Sequence, residues 1–211
     1  MDLENIKINF LGDSITFGIR STTPEKSFLG RLQEKYPNSV MRNYGACASS
    51  IANQNVWGTP SFCKRAEDMD PDADAVVVFG GTNDFGTGVP LGTPEDRTED
   101  TFYGACFSLF RKLLERYPGK PIIVATPLHR LFECASVYQE RQLAAPLKEY
   151  VRILKETAEY FAFPVIDLHA TSGLQPAFDM ICEGFMPDGI HPNDAGHEIL
   201  FKKMDAALRQ L

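Results

Sequence analysis

Four short segments of the chain hold residue types that can do chemistry together. Gly12-Asp13-Ser14-Ile15-Thr16 offers a hydroxyl, Asn43-Tyr44-Gly45 a glycine, and Gly80-Gly81-Thr82-Asn83-Asp84 a side-chain amide. Asp188-Gly189-Ile190-His191 puts a carboxylate three residues ahead of an imidazole. A serine hydroxyl is a poor nucleophile until a base takes its proton, and the base needs a partner that fixes its tautomer. The oxyanion that develops on an attacked carbonyl needs hydrogen-bond donors. Singly, each segment has a plain structural reading: Ser14 as a helix cap, Asn83 as a turn former, and Asp188 to His191 as the approach to a helix whose first turn Pro192 prepares. Their joint occurrence, in this order, argues for a site.

These residues need elements that bring them to one place. Apolar, β-branched runs at Ile6 to Leu11, Val40 to Tyr44, Ala75 to Phe79, Ile122 to Thr126 and Val165 to Leu168 predict five strands. Between them, Phe28, Leu29, Leu32 and Tyr36 keep helical spacing, as do Phe102, Cys106, Leu109, Leu113 and Tyr117, and then Leu147, Tyr150, Val151, Leu154 and Ala158. Pro37 and Pro118 stop two of these helices, and Asn193 caps a last one whose Leu200, Met204, Ala207 and Leu211 share a face. Strands that are apolar on both faces and alternate with helices predict a parallel sheet with helices on either side, a three-layer α/β/α sandwich. Four irregular stretches, Ala52 to Pro60, Phe85 to Arg97, Pro127 to Gln142 and Ala170 to Pro187, all follow strands. They should gather at the carboxyl edge of the sheet, where open α/β folds bind ligands.

The 211 residues, 44% hydrophobic and 23% charged, suit one domain spanning 1–211 with a single sizeable core. Net charge is −7, which offers no basic surface to a phosphate backbone, so nucleic acid is a poor partner. Apolar runs are far shorter than the roughly 18 to 20 residues of a spanning helix, and the acidic start carries no signal-peptide pattern, which predicts a cytoplasmic protein. Five scattered cysteines without a C-x-x-C pair read as mostly buried thiols, not as disulfides or a zinc site. Asp70, Asp72 and Asp74 read as a solvated turn, and no metal or cofactor is expected. No G-x-S-x-G elbow, H-E-x-x-H, P-loop or dinucleotide fingerprint occurs.

With these segments in view, the sequence resembles the SGNH hydrolase family, the GDSL-type esterases and lipases, over nearly its whole length. Gly12 to Thr16 is similar to the first family block, Gly45 falls at the second, Gly81-Thr82-Asn83-Asp84 at the third and Asp188 to Asn193 at the last. The resemblance implies a flavodoxin-like fold and ester hydrolysis through an acyl-enzyme, with Ser14, Asp188 and His191 as triad. It also implies an oxyanion hole made of the Ser14 N–H, the Gly45 N–H and the Asn83 side chain. Independently of the name, Asp188 can reach one nitrogen of His191 while the other takes the Ser14 proton. Of the other histidines, His169 follows Asp167 at a strand end and suits a structural hydrogen bond, His129 lies in a loop and His197 inside the last helix. Asp13 and Asp84 fit as residues that hold loops.

The reading is a serine esterase or acylhydrolase for a small or carbohydrate-linked ester, with O-acetyl esters included. Trp57, Phe85 and Phe185 are the expected substrate-binding residues, Trp57 by stacking on a sugar. A thioesterase or lysophospholipase is the alternative, if Phe85, Phe132, Phe178, Phe185 and Met186 line a longer acyl groove. A catalytically silent carbohydrate-binding module is the alternative from another class.

Overall fold

The computed structural model describes residues 1–53 and 58–211. Its strands are β1 (Lys7–Gly12), β2 (Val40–Gly45), β3 (Ala75–Phe79), β4 (Ile122–Ala125), β5 (Val137–Tyr138), β6 (Arg141–Gln142) and β7 (Val165–Ile166). The α-helices are α1 (Ser14–Phe17), α2 (Phe28–Lys35), α3 (Phe62–Arg65), α4 (Thr82–Thr87), α5 (Phe102–Arg116), α6 (Leu147–Tyr160), α7 (Leu168–Thr171), α8 (Asp179–Phe185) and α9 (Asp194–Gln210). Five strands form one parallel sheet in the order β2-β1-β3-β4-β7. This is the flavodoxin-like winding, whose crevice opens where the order reverses, between β1 and β3.

The pleat of β3 shows how the sheet makes two cores. All five of its residues are buried, with Val76 and Val78 facing one layer and Ala75, Val77 and Phe79 the other. On the first side they meet Phe62 of α3, Leu109 and Leu113 of α5, and Ile153 and Leu154 of α6. On the second they meet Phe28 and Leu32 of α2 and Leu200, Met204 and Leu208 of α9. A strand covered on both faces has no room for the polar alternation of a solvated sheet, and its run of valines follows from that.

The expected elements are present with local differences. The last strand ends at Ile166 because the Asp167 carboxylate accepts from the Ala170 N–H and caps α7, so Leu168 begins a helix. Leu211 is half exposed, and Leu208 carries the last turn of the buried face of α9. Only Cys63 and Cys106 are buried; Cys47 and Cys134 are exposed, Cys182 is intermediate, and none is in a disulfide. The expectation of mostly buried thiols fails because Cys47 and Cys134 sit in loops. The aspartate turn is solvated as expected, its carboxylates held by Arg42, Lys7 and Lys120. No described helix is long and apolar enough to cross a membrane.

Phe28 packs edge-on against Phe10 and Phe79 and stacks on His197, all with ring centres 6.2 Å apart. Its side chain is fully buried. Phe28→Ala is expected to destabilise the fold by about 3 to 5 kcal/mol, read as a lowered denaturant midpoint at unchanged slope.

Candidate active site

Asp13 follows β1 and its carboxylate accepts from the Ile15 N–H at 2.9 Å, so the one-turn helix α1 begins at Ser14. Ser14 thereby stands at a helix start, where N–H groups have no intrahelical acceptor. Its Oγ lies 2.8 Å from His191 Nε2, and His191 Nδ1 lies 2.9 Å from Asp188 Oδ2. Asp188 Oδ1 accepts from the backbone N–H groups of Ile190 and His191 at 3.0 and 2.7 Å, and Arg20 Nε donates to Oδ2 at 3.0 Å. Burial alone would raise the Asp188 carboxyl, but the bonds from His191 and Ile190 outweigh it and hold it well below the usual carboxylate range. An ionised Asp188 keeps the Nδ1 proton on His191 and leaves Nε2 facing the serine.

The structure brings Asn83 to the same place and moves the second donor. Asn83 is the second residue of α4 after β3, and its Nδ2 donates to Ser49 O at 2.9 Å, which fixes the amide and leaves one N–H of Nδ2 without an acceptor among the described residues. Gly45 does not face the site: its N–H donates to Asn43 Oδ1 at 2.8 Å. A Cβ on Gly45 would come within 2.2 Å of the Phe17 backbone nitrogen. This residue is a glycine because β2 and α1 touch there, and the expectation that it supplies an oxyanion donor is corrected. The cavity beside Ser14, about 440 Å³, is lined instead by Ala48, with Asn83, His191 and Ile19. Ala48 has a left-handed backbone, φ +62°, and its N–H has no acceptor among the described residues. Sequence reasoning missed it because an alanine carries no mark of a positive φ.

Two side chains, the half-buried Arg65 and the buried Asp84, hold the loop that carries Ala48. Arg65 donates from Nη1 to Tyr44 O at 2.6 Å and from Nη2 to Gly12 O at 2.8 Å and Ser49 Oγ at 2.9 Å, tying the ends of β1 and β2 to the loop. Asp84 accepts from the N–H groups of Ile51 and Ala52 at 2.9 and 2.8 Å. Asp84 has no exposed surface, and burial pushes its carboxyl up to about 7; burial likewise raises Asp13 to about 6. Both act as loop holders, as their sequence positions suggested.

The expected pocket residues are not assembled. Phe85 is fully buried and packs edge-on against Tyr150 in the first core, because α4 turns that face inward. Phe185 ends α8 and packs against the second core. Met186 is buried, whereas Phe132 and Phe178 are each 65% exposed, so these five residues form no acyl groove. Trp57 lies outside the described residues.

The other histidines keep away from Ser14. His197 stacks on Phe28, accepts from the Phe28 N–H through Nδ1 and lies 3.3 Å from Ile19 O through Nε2; burial lowers it to about 4, so it is neutral. The rings of His129 and His169 lie with centres 3.7 Å apart and planes tilted by 34°, and His129 Nδ1 contacts Glu133. With Glu133 they place three possible metal ligands within 4.8 Å of one another, a grouping of two strand ends that spacing along the chain could not disclose. None of the three lines the Ser14 cavity.

The chain matches the family model for GDSL-like lipases and acylhydrolases over residues 10–199. One solved structure is 32% identical, with a TM-score of 0.90 over 100% of this chain and 99% of its own. A Lactobacillus plantarum protein of known structure is 24% identical, with a TM-score of 0.87 over 99% of each chain. The acetyl xylan esterase AlAXEase shares the fold at 20% identity and a TM-score of 0.68, over 96% of this chain and 100% of its own. No curated protein matches the chain.

Gly45→Ala is expected to cost about 1 to 3 kcal/mol through overpacking against α1 and to lower esterase activity by displacing Ser14. Ala48→Gly keeps the N–H and suits the positive φ, so it should retain most activity; urea melts and initial rates on a short ester check both. For Asp84 the folded carboxyl binds its proton more tightly than the unfolded one, whose ordinary value is 3.8. Its contribution to stability is therefore full below about pH 4 and is lost as pH rises through about 7. Asp84→Asn, with no proton to lose, should gain on the wild type between pH 5 and pH 8. An unfolding free-energy difference that stays constant over this range would mean that Asp84 is ionised throughout.

Proposed function

The chain belongs to the GDSL-like lipase/acylhydrolase family and is a hydrolase acting on esters; we propose that it is a serine esterase for small or carbohydrate-linked esters, O-acetyl esters among them, working through an acyl-enzyme. The observation that carries this reading is the run of short contacts from Ser14 Oγ through His191 to Asp188 at the mouth of the cavity that Asn83 and Ala48 also line.

In this reading His191 Nε2 takes the Ser14 proton as Oγ attacks the ester carbonyl, and Asp188 stabilises the imidazolium. The tetrahedral oxyanion receives the Ser14 and Ala48 N–H groups and the free N–H of Asn83. Collapse breaks the ester bond, His191 protonates the leaving alcohol, and water enters by the same steps in reverse to release the acid. Gly45 serves by letting α1 approach β2, which places Ser14.

The size of the cavity, about 440 Å³, and the absence of a groove built from the five apolar candidates favour a short acyl group over the thioesterase or lysophospholipase alternative. The fold of an acetyl xylan esterase supports the O-acetyl end of this range. A silent binding module would have no use for a serine in hydrogen-bond contact with an imidazole. The unpaired thiols suit a reducing, cytoplasmic setting.

Ser14→Ala should abolish hydrolysis and labelling by a fluorophosphonate probe while the melting curve stays in place. Asn83→Ala should lower kcat by roughly 10²- to 10³-fold with little change in KM, the loss expected for one oxyanion donor. Retained turnover without Ser14 would sink the mechanism. Across 4-nitrophenyl esters from acetate to octanoate, kcat/KM should fall with chain length. A rise would favour the long-chain alternative.

A further inference from the structure

Arg130 follows β4 at the carboxyl edge and lines the Ser14 cavity, yet only 4% of it is exposed. Its guanidinium lies between two rings, 5.2 Å from the centre of Phe85 and 4.7 Å from that of Tyr138. Nη1 donates to Thr82 O at 3.1 Å and Thr82 Oγ1 at 3.3 Å. Nε is buried without an acceptor, and the Tyr138 hydroxyl lies close enough to share a hydrogen bond with the guanidinium. Gly86 leaves room beside it, since a Cβ there would stand 3.1 Å from Nη1, a tight contact.

A buried guanidinium stays charged and is expensive without an anion beside it. The nearby carboxylates are engaged elsewhere. Asp188 holds His191 and Arg20, and Glu133 holds His129 and the Arg130 backbone N–H. Asp13 caps α1, its carboxyl raised by burial. The Arg130 charge acts on Asp13 and Asp188, and its side chain lines the same cavity as Ser14 and His191. Among the described residues, no lysine and no second arginine lines the cavity. One cation among neighbouring acids, in a chain of net charge −7, fits a monoanion better than a phosphate dianion.

We propose that Arg130 is a specificity-determining residue that binds a carboxylate carried by the ester substrate, next to α4 and the β5–β6 hairpin. The proposal rests on the esterase reading only in using Ser14 to mark where the ester lies. Where it lines the cavity, the guanidinium offers a charge-assisted hydrogen bond that a neutral ester cannot use. A purely structural role, clamping Thr82 and Tyr138, would not discriminate by substrate charge.

The test compares matched ester pairs that differ by one charge: ethyl hydrogen glutarate against ethyl 4-carbamoylbutanoate, and O-acetyl-lactate against O-acetyl-lactamide. The first pair carries the carboxylate on the acyl side and the second on the alcohol side. For one pair the intact protein should favour the anion in kcat/KM by about 10- to 100-fold, mostly through KM. Arg130→Gln should bring that ratio to near one, and Arg130→Lys should keep part of it, with melting curves confirming folded variants. Ratios of one or less for both pairs, or a ratio unchanged in folded Arg130→Gln, would overturn the proposal. Calorimetric titration of ethyl hydrogen glutarate and O-acetyl-lactate into Ser14→Ala separates this from the esterase reading. Carboxylate binding that disappears in the Ser14→Ala, Arg130→Gln double variant supports the subsite even if no ester is turned over. Failure of both anions to bind argues against it even if neutral esters are hydrolysed.

Discussion

The parallel register of the central strand governs the whole site. Gly12 of β1 stands level with Gly45 of β2 on one side and Phe79 of β3 on the other. Three chain segments therefore leave the sheet at the same height: the serine turn, the loop through Ala48 and the start of α4 with Asn83. Parallel pairing admits no hairpin between these strands, so each must turn into a loop or helix, and unpaired N–H groups collect where they turn. The last segment, with Asp188 and His191, is brought to this edge by α9 packing on the opposite layer.

Above the sheet, order comes from polar bonds shielded wholly or in part from water. Arg65 grips two strand-end carbonyls and a loop hydroxyl, and Asp84 grips two loop amides. Loops held this way lose little further freedom when substrate arrives, which is how donors come to be aimed in advance at a charge that develops only during reaction. The cost appears as raised carboxyls at Asp84 and Asp13, which burial deprives of water.

Much of this could be read from the chain. The strand at Ala75 to Phe79 was legible to the residue because burial on both faces leaves an unbroken apolar run. Ser14, Asn83, Asp188 and His191 were legible because their types and order are themselves the signal. Gly45 misled because two needs, close approach and an open N–H, both favour glycine, and only the packing of α1 shows which applies. Ala48, Arg130 and the group of His129, Glu133 and His169 had no local signature, since each depends on contacts between distant segments. Phe85 and Phe185 were misassigned because apolar residues near a site look alike whether they face a ligand or the core.

The β5–β6 hairpin turns through Gln139 and Glu140, both in left-handed backbone, as two-residue hairpin turns require. It lies in the long connection between β4 and α6 and pairs with none of the five sheet strands. No strand of the sheet depends on it for a hydrogen-bonded partner, and its tip, Gln139 and Glu140, is exposed. The hairpin is thus a place where a lineage can drift toward new esters while the hydrolytic apparatus stays put, with selection acting on a few exposed residues instead of on the frame beneath.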